Sequence, residues 1–165
     1  MTIANLTLSI TLIGIGATLV MDLWALLLRR LGITTLNYAM LGRWAGHVLQ
    51  GRIRHQAIAK ATPVRHELAW GWLLHYAIGL LFAALLVAMA GQGWLLSPAL
   101  SQALIFGLCS AIAPLCLMQP AMGAGFFAAK TPTPLKNCLR SLCTHAVFGL
   151  GLFMSAQLSC AIGSA

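Results

Sequence analysis

Residues 6–30, LTLSITLIGIGATLVMDLWALLLRR, hold a single charge, Asp22, before Arg29 and Arg30 close the run. As a helix rising about 1.5 Å per residue, Leu6–Leu28 spans the roughly 30 Å hydrocarbon layer of a bilayer. No Lys or Arg precedes the run and a basic pair follows it, so it reads as a retained anchor and not as a cleaved leader. A carboxylate inside such a span needs a proton, water or a partner.

Composition supports the same class. Hydrophobic residues make up 60% of the 165 positions and charged residues 7%, far below the roughly 25% of a soluble domain. The net charge of +8 arises from ten basic and two acidic residues. Because the basic side chains flank apolar runs, anionic lipid head groups are the expected partners, and no nucleic acid is expected. The five cysteines form no CxxC pair, which favours buried thiols over a disulfide framework or a zinc site.

Three further apolar runs follow, at 68–90, 98–118 and 139–158. Trp70, Trp72 and Trp94 stand near the ends of the second, where interfacial aromatics belong. Pro114 predicts a kink or an early end in the third, and Pro120 disfavours helix at Gln119. The segment 118–125 reads as an ordered turn, since no Gly-Lys-Ser/Thr unit makes it a phosphate loop. The expected fold class is all-α, a polytopic membrane bundle of four transmembrane helices in a single domain.

Seven basic residues, Arg29, Arg30, Arg43, Arg52, Arg54, Lys60 and Arg65, lie between the first and second runs, and the other three lie between or beside the third and fourth. The positive-inside bias places both loops in the cytoplasm and both termini in the periplasm of a bacterial inner membrane. Within the first loop, Arg43, His47, Gln50 and Arg54 recur at helical spacing opposite Leu41, Trp44, Val48 and His55. This pattern predicts an amphipathic interfacial helix over 38–58, with its arginines toward head groups. Glu67, at the start of the second run, suits a helix N-terminus and can pair with Arg65, Arg43 or Arg54. Arg43, His47, Arg54 and Glu67 form a candidate cytoplasmic-face site.

Depth groups a second set. Asp22 lies about 10 Å before Arg29, His75 about 13 Å after His66 and His145 about 8 Å after Arg140, if each run is helical. With Gln119 at the inner end of the third run, all four spans carry a polar residue in the inner half of the membrane. Asp22, His75, His145 and Gln119 are therefore the candidate intramembrane polar site. Histidine titrates near neutrality, so the group could pass protons. The same Asp22, His75 and His145 could hold a divalent metal, and the two histidines a haem iron, although no His-x-x-x-His pair supports either cofactor.

A shift of 70 positions aligns His75, Gly79 and Leu80 with His145, Gly149 and Leu150, and Lys60 with Lys130. This suggests two duplicated two-helix units inserted the same way up, with the interfacial segment added to the first.

The stretches Gly16-Ala17-Thr18-Leu19-Val20-Met21-Asp22-Leu23-Trp24, Gly42-Arg43-Trp44-Ala45-Gly46-His47, Gly71-Trp72-Leu73-Leu74-His75-Tyr76 and Met118-Gln119-Pro120-Ala121-Met122-Gly123 together resemble a bacterial family of small four-helix integral membrane proteins known only as a domain of unknown function. The resemblance covers nearly the whole chain and implies an inner-membrane location and a shared fold, but no activity, substrate or cofactor. Lys130 departs from the small hydroxylated residue that the family favours there.

Three functional classes compete. The first is small-solute or ion transport with a proton-coupled polar site. The second is a structural or assembly factor, as a homo-oligomer or beside another membrane protein, using Gly79, Gly149 and Gly151 for helix packing. The third is a haem- or metal-binding membrane protein. No catalytic motif marks an enzyme, since no serine stands in a Gly-x-Ser-x-Gly setting.

Overall fold

The computed structural model describes residues 2–163, which are all-α with no strand. The helices are α1 (Ile3–Arg30), α2 (Tyr38–Val48), α3 (Glu67–Ala90), α4 (Leu100–Met122) and α5 (Pro134–Gly163), with short helical turns between them. Helices α1, α3, α4 and α5 are long and apolar enough to cross a membrane. Only 22–33% of each apolar window is buried within the protein, so most of that surface is left for lipid.

The helices extend past the apolar runs because polar residues near their ends are satisfied locally. Thr2 Oγ1 accepts from Asn5 N at 3.3 Å and caps α1, and Thr7 and Thr11 hydroxyls return to carbonyls one turn back. Arg29 and Arg30 then lie at the negative end of the α1 dipole. Helix α5 begins at Pro134, where a proline sacrifices no helical hydrogen bond, so Lys136 and Arg140 lie inside the helix.

Helix α4 departs from the expectation of an end near Met118. Residues Ala113–Met118 form a π-turn in which the Gln119 N–H reaches the Pro114 carbonyl. Gln119–Met122 adds a helical turn, and Gly123 ends it at φ +99°. Pro120, which has no N–H to place, falls where the π register meets the α register, so helix persists through it.

Helix α2 is shorter than the helix expected over 38–58. It stops at Val48, Gly51 takes φ +80°, and 51–57 is irregular. Its polar stripe also points the other way. Arg43 and His47 are buried, Trp44 and Val48 are half-buried, and Arg54 is exposed in the irregular segment. The basic face turns inward because the protein supplies acceptors for it.

The chain forms two compact units. The first comprises Met1–Thr34, Tyr76–Ser110 and Cys143–Ala165, and the second Thr35–His75 and Ala111–Leu142. In the first, Ile13, Ala17, Ala83, Leu86, Trp94, Phe148 and Leu152 share one core. Close backbone approach sets its crossings: a Cβ at Gly107 would stand 2.6 Å from Gly149 Cα, and one at Gly151 2.8 Å from Ala17 Cα. In the second unit α2 packs through Gly42 and Gly71 onto the first turns of α3. There the 55–57 segment also docks on the end of α4, with His55 N donating to Ala121 O at 2.8 Å.

The cysteines are placed differently from the expected buried thiols. Cys109 and Cys143 are exposed, Cys116, Cys138 and Cys160 are half-buried, and none of the five is in a disulfide. In a lipid-facing helix an apolar neighbourhood in sequence does not imply burial in protein.

Candidate functional site

Glu67 lies where α3 begins. It follows His66 at φ +59°, a left-handed conformation that turns the chain into the helix. Its carboxylate reaches back to the Val64 N–H at 3.2 Å, as N-terminal acidic residues do. The same carboxylate takes a two-pronged bond from Arg43, with Nε to Oε2 and Nη2 to Oε1 both at 2.8 Å. The remaining prong, Nη1, donates to the Ala59 and Ala61 carbonyls at 3.2 and 3.1 Å and to Ile58 O at 3.4 Å. Of the arginines weighed for Glu67, the structure pairs it with Arg43. The bond to Glu67 is the main cause that raises the Arg43 pKa above its ordinary value, so the guanidinium stays charged.

One turn along α2, His47 forms a second construction. Its Nε2 lies 3.1 Å from Thr62 O and its Nδ1 lies 2.7 Å from His55 Nε2, with the two rings stacked at 4.9 Å. A carbonyl only accepts, so His47 Nε2 carries a hydrogen. In the neutral pair the single hydrogen between the rings then belongs to His55 Nε2, which leaves His55 Nδ1 bare. That atom is buried and has no hydrogen-bond partner. Adding one proton to the pair puts a hydrogen on His55 Nδ1 whichever ring carries the charge. His55 was not among the candidate site residues, because a helix running through 38–58 puts it on the side opposite His47; the end of α2 at Val48 is what lets it fold back.

The intramembrane candidates have their own partners. In the first unit Tyr76 Oη donates to Asp22 Oδ2 at 2.9 Å. Also in that unit, Ser110 Oγ lies 2.7 Å from His145 Nδ1 and donates to Gly107 O at 2.6 Å. His145 is 8% exposed, and its ring lies edge-on to Phe148. In the second unit His75 Nε2 lies 3.1 Å from Tyr38 Oη, among the rings of Tyr38 and Trp72. Gln119, in the same unit, has a buried Oε1 without a hydrogen-bond partner. Tyr76 and Ser110 are the hydroxyls that sequence reasoning missed. Only their positions, next to His75 and within an apolar span, could have drawn attention to them.

Among the described residues no group of three or more His, Cys, Asp or Glu side chains is placed to hold a metal ion. The metal reading of Asp22, His75 and His145 thus has no three-ligand set to rest on. Close approach also occupies the glycines weighed for packing against a partner: a Cβ at Gly79 would meet Thr18 Oγ1, and one at Gly149 would lie 2.7 Å from Ala103 O.

No curated protein and no solved structure matches the chain. Residues 11–159 match the model of a family described as a protein of unknown function, DUF2938. Since that match spans most of its length, this all-α membrane chain belongs to the DUF2938 family.

Proposed function

We propose that this protein moves a small solute or ion across a bacterial inner membrane with a proton-coupled step. The observation that carries the reading is the Tyr76–Asp22 hydrogen bond inside two membrane-spanning helices, which holds an ionisable group at a depth where one costs several kcal/mol. A phenol can give or take a hydrogen as the carboxyl changes state. Ser110 plays the same part for His145, since its one hydrogen can go to Gly107 O or to the ring. Asp22 and His145, both in the first unit, are the proposed proton carriers. Of the proposed cytoplasmic-face set, exposed Arg54 is the residue available to anionic head groups, while Arg43, His47 and Glu67 bond within the protein. The assembly reading loses weight because Gly79, Gly149 and Gly151 are already used within the chain.

Purified protein in vesicles loaded with a pH-sensitive dye tests this, with a pH step imposed in sodium, potassium and phosphate buffers in turn. Proton entry above that of empty vesicles is expected in at least one buffer. Asp22→Asn should lower it by about tenfold or more, and Tyr76→Phe by less, because it removes a donor and keeps the carboxyl. Wild-type vesicles no faster than empty ones in every buffer would sink the proposal.

The orientation has its own test. With both termini periplasmic, a membrane-impermeant thiol reagent should label Ser97→Cys from outside in a cysteine-free background, and spare Arg54→Cys. The reverse pattern would invert the topology.

A further inference from the structure

A cavity of about 390 Å³ in the second unit is lined by His55, Gln56, Ala57, Lys60 and Ala61. Two of these side chains are small, one is an amide donor and one is a cation, while His55 belongs to the His47 pair described above. From this arrangement we infer that the cavity is a binding site for a tetrahedral oxyanion, a phosphate or phosphate ester, which enters with a proton taken up by the His47–His55 pair. The inference is independent of proton movement through the membrane spans.

The neutral pair offers an anion no charge; with one added proton it carries a positive charge beside Lys60, and that charge favours an anion in the cavity. Anion and proton therefore favour each other's binding, and by linkage to the same extent. The charged groups around the pair fit this. Glu67 faces His47 from α3, but both its oxygens are occupied by Arg43, and the Arg43 guanidinium is held there in turn. The α4 turn that receives His55 N, residues 118–125, carries no ionisable side chain. Lys60 is the cation that lines the cavity itself, and Arg52 and Arg54 are exposed on the segment leading to it. A cation as ligand would meet Lys60 and gain nothing from the pair once protonated.

The same chemistry is offered by a free phosphate and by the head group of an anionic lipid, and one experiment separates them. Sulfate is the probe, because its charge does not change between about pH 6 and about pH 8 while histidine titrates. Calorimetry on lipid-stripped protein in detergent, in two buffers of different ionisation enthalpy, should give one sulfate bound per chain with uptake of up to about one proton, and an affinity rising several-fold as pH falls across that range. Lys60→Gln, a change at an exposed side chain, should weaken binding about tenfold. His55→Gln should bind sulfate without proton uptake. In nanodiscs, loss of sulfate binding when phosphatidylglycerol replaces part of the phosphatidylcholine identifies a lipid head group as the ligand, and unchanged binding identifies a free anion. No sulfate binding in detergent and in phosphatidylcholine nanodiscs would overturn the inference. So would binding that Lys60→Gln leaves unchanged, or proton uptake that survives His55→Gln in a folded protein.

Discussion

Arg43→Ala should cost the protein about 3 kcal/mol of stability, read as a lower midpoint in denaturant titration in detergent. Removing one partner of a buried ion pair leaves the other uncompensated. Here the loss is at the low end of the usual range because the Glu67 side chain remains 20% exposed and can recruit water. Three carbonyls, of Ile58, Ala59 and Ala61, also lose their donor, so the 58–61 segment should loosen together with α2. Arg43→Lys should recover less than half of the loss. One ammonium cannot serve both carboxylate oxygens and the carbonyls on the far side at once. A lysine variant as stable as the wild type would show that only the charge matters and that the fork geometry does not.

This arginine also shows where sequence reading stops. The four spans were legible because each is a long apolar window, and that property belongs to a stretch of chain taken alone. The Arg43–His47 stripe was visible too, as two residues one turn apart on a helix. Its direction was not, since a basic face turns to head groups or inward according to whether a carboxylate waits inside. Glu67 lies 24 positions away, and Arg65 and Arg54 were equally eligible partners by charge. The same limit hid the hydroxyls. Asp22 announces a need for a donor, but the sequence offers many, and only the packing of α1 against α3 in the first unit selects Tyr76. Pro120 misled for a different reason. The rule that a proline ends the preceding helix assumes regular α register, and the π-turn begun near Pro114 shifts that register by one residue.

Gly42→Ala and Gly71→Ala should each be more disruptive than any change of a charged residue outside the Arg43–Glu67 pair, costing about 3 kcal/mol or more or preventing accumulation of folded protein. A Cβ on Gly42 would coincide with the Glu67 carbonyl oxygen and lie 2.6 Å from Gly71 N; one on Gly71 would coincide with the Tyr38 carbonyl oxygen and lie 2.6 Å from Tyr38 C. These obstacles are backbone atoms, so no side-chain rotation relieves them, and α2 would have to lift off α3. Lifting it would part Arg43 from Glu67 at 2.8 Å and Tyr38 from His75 at 3.1 Å, since both bonds cross this contact. The two substitutions act on one interface, so the double variant should lose clearly less than the sum of the single losses. Gly93→Ala serves as the control, because no atom lies within 4 Å of a Cβ there and its φ is not positive; its effect should stay within about 0.5 kcal/mol. Denaturation midpoints in detergent decide the matter. If Gly42→Ala melts with the wild type while retaining the Arg43-dependent loss, α2 does not seat on α3 through these glycines, and the burial of Arg43 and His47 must have another cause.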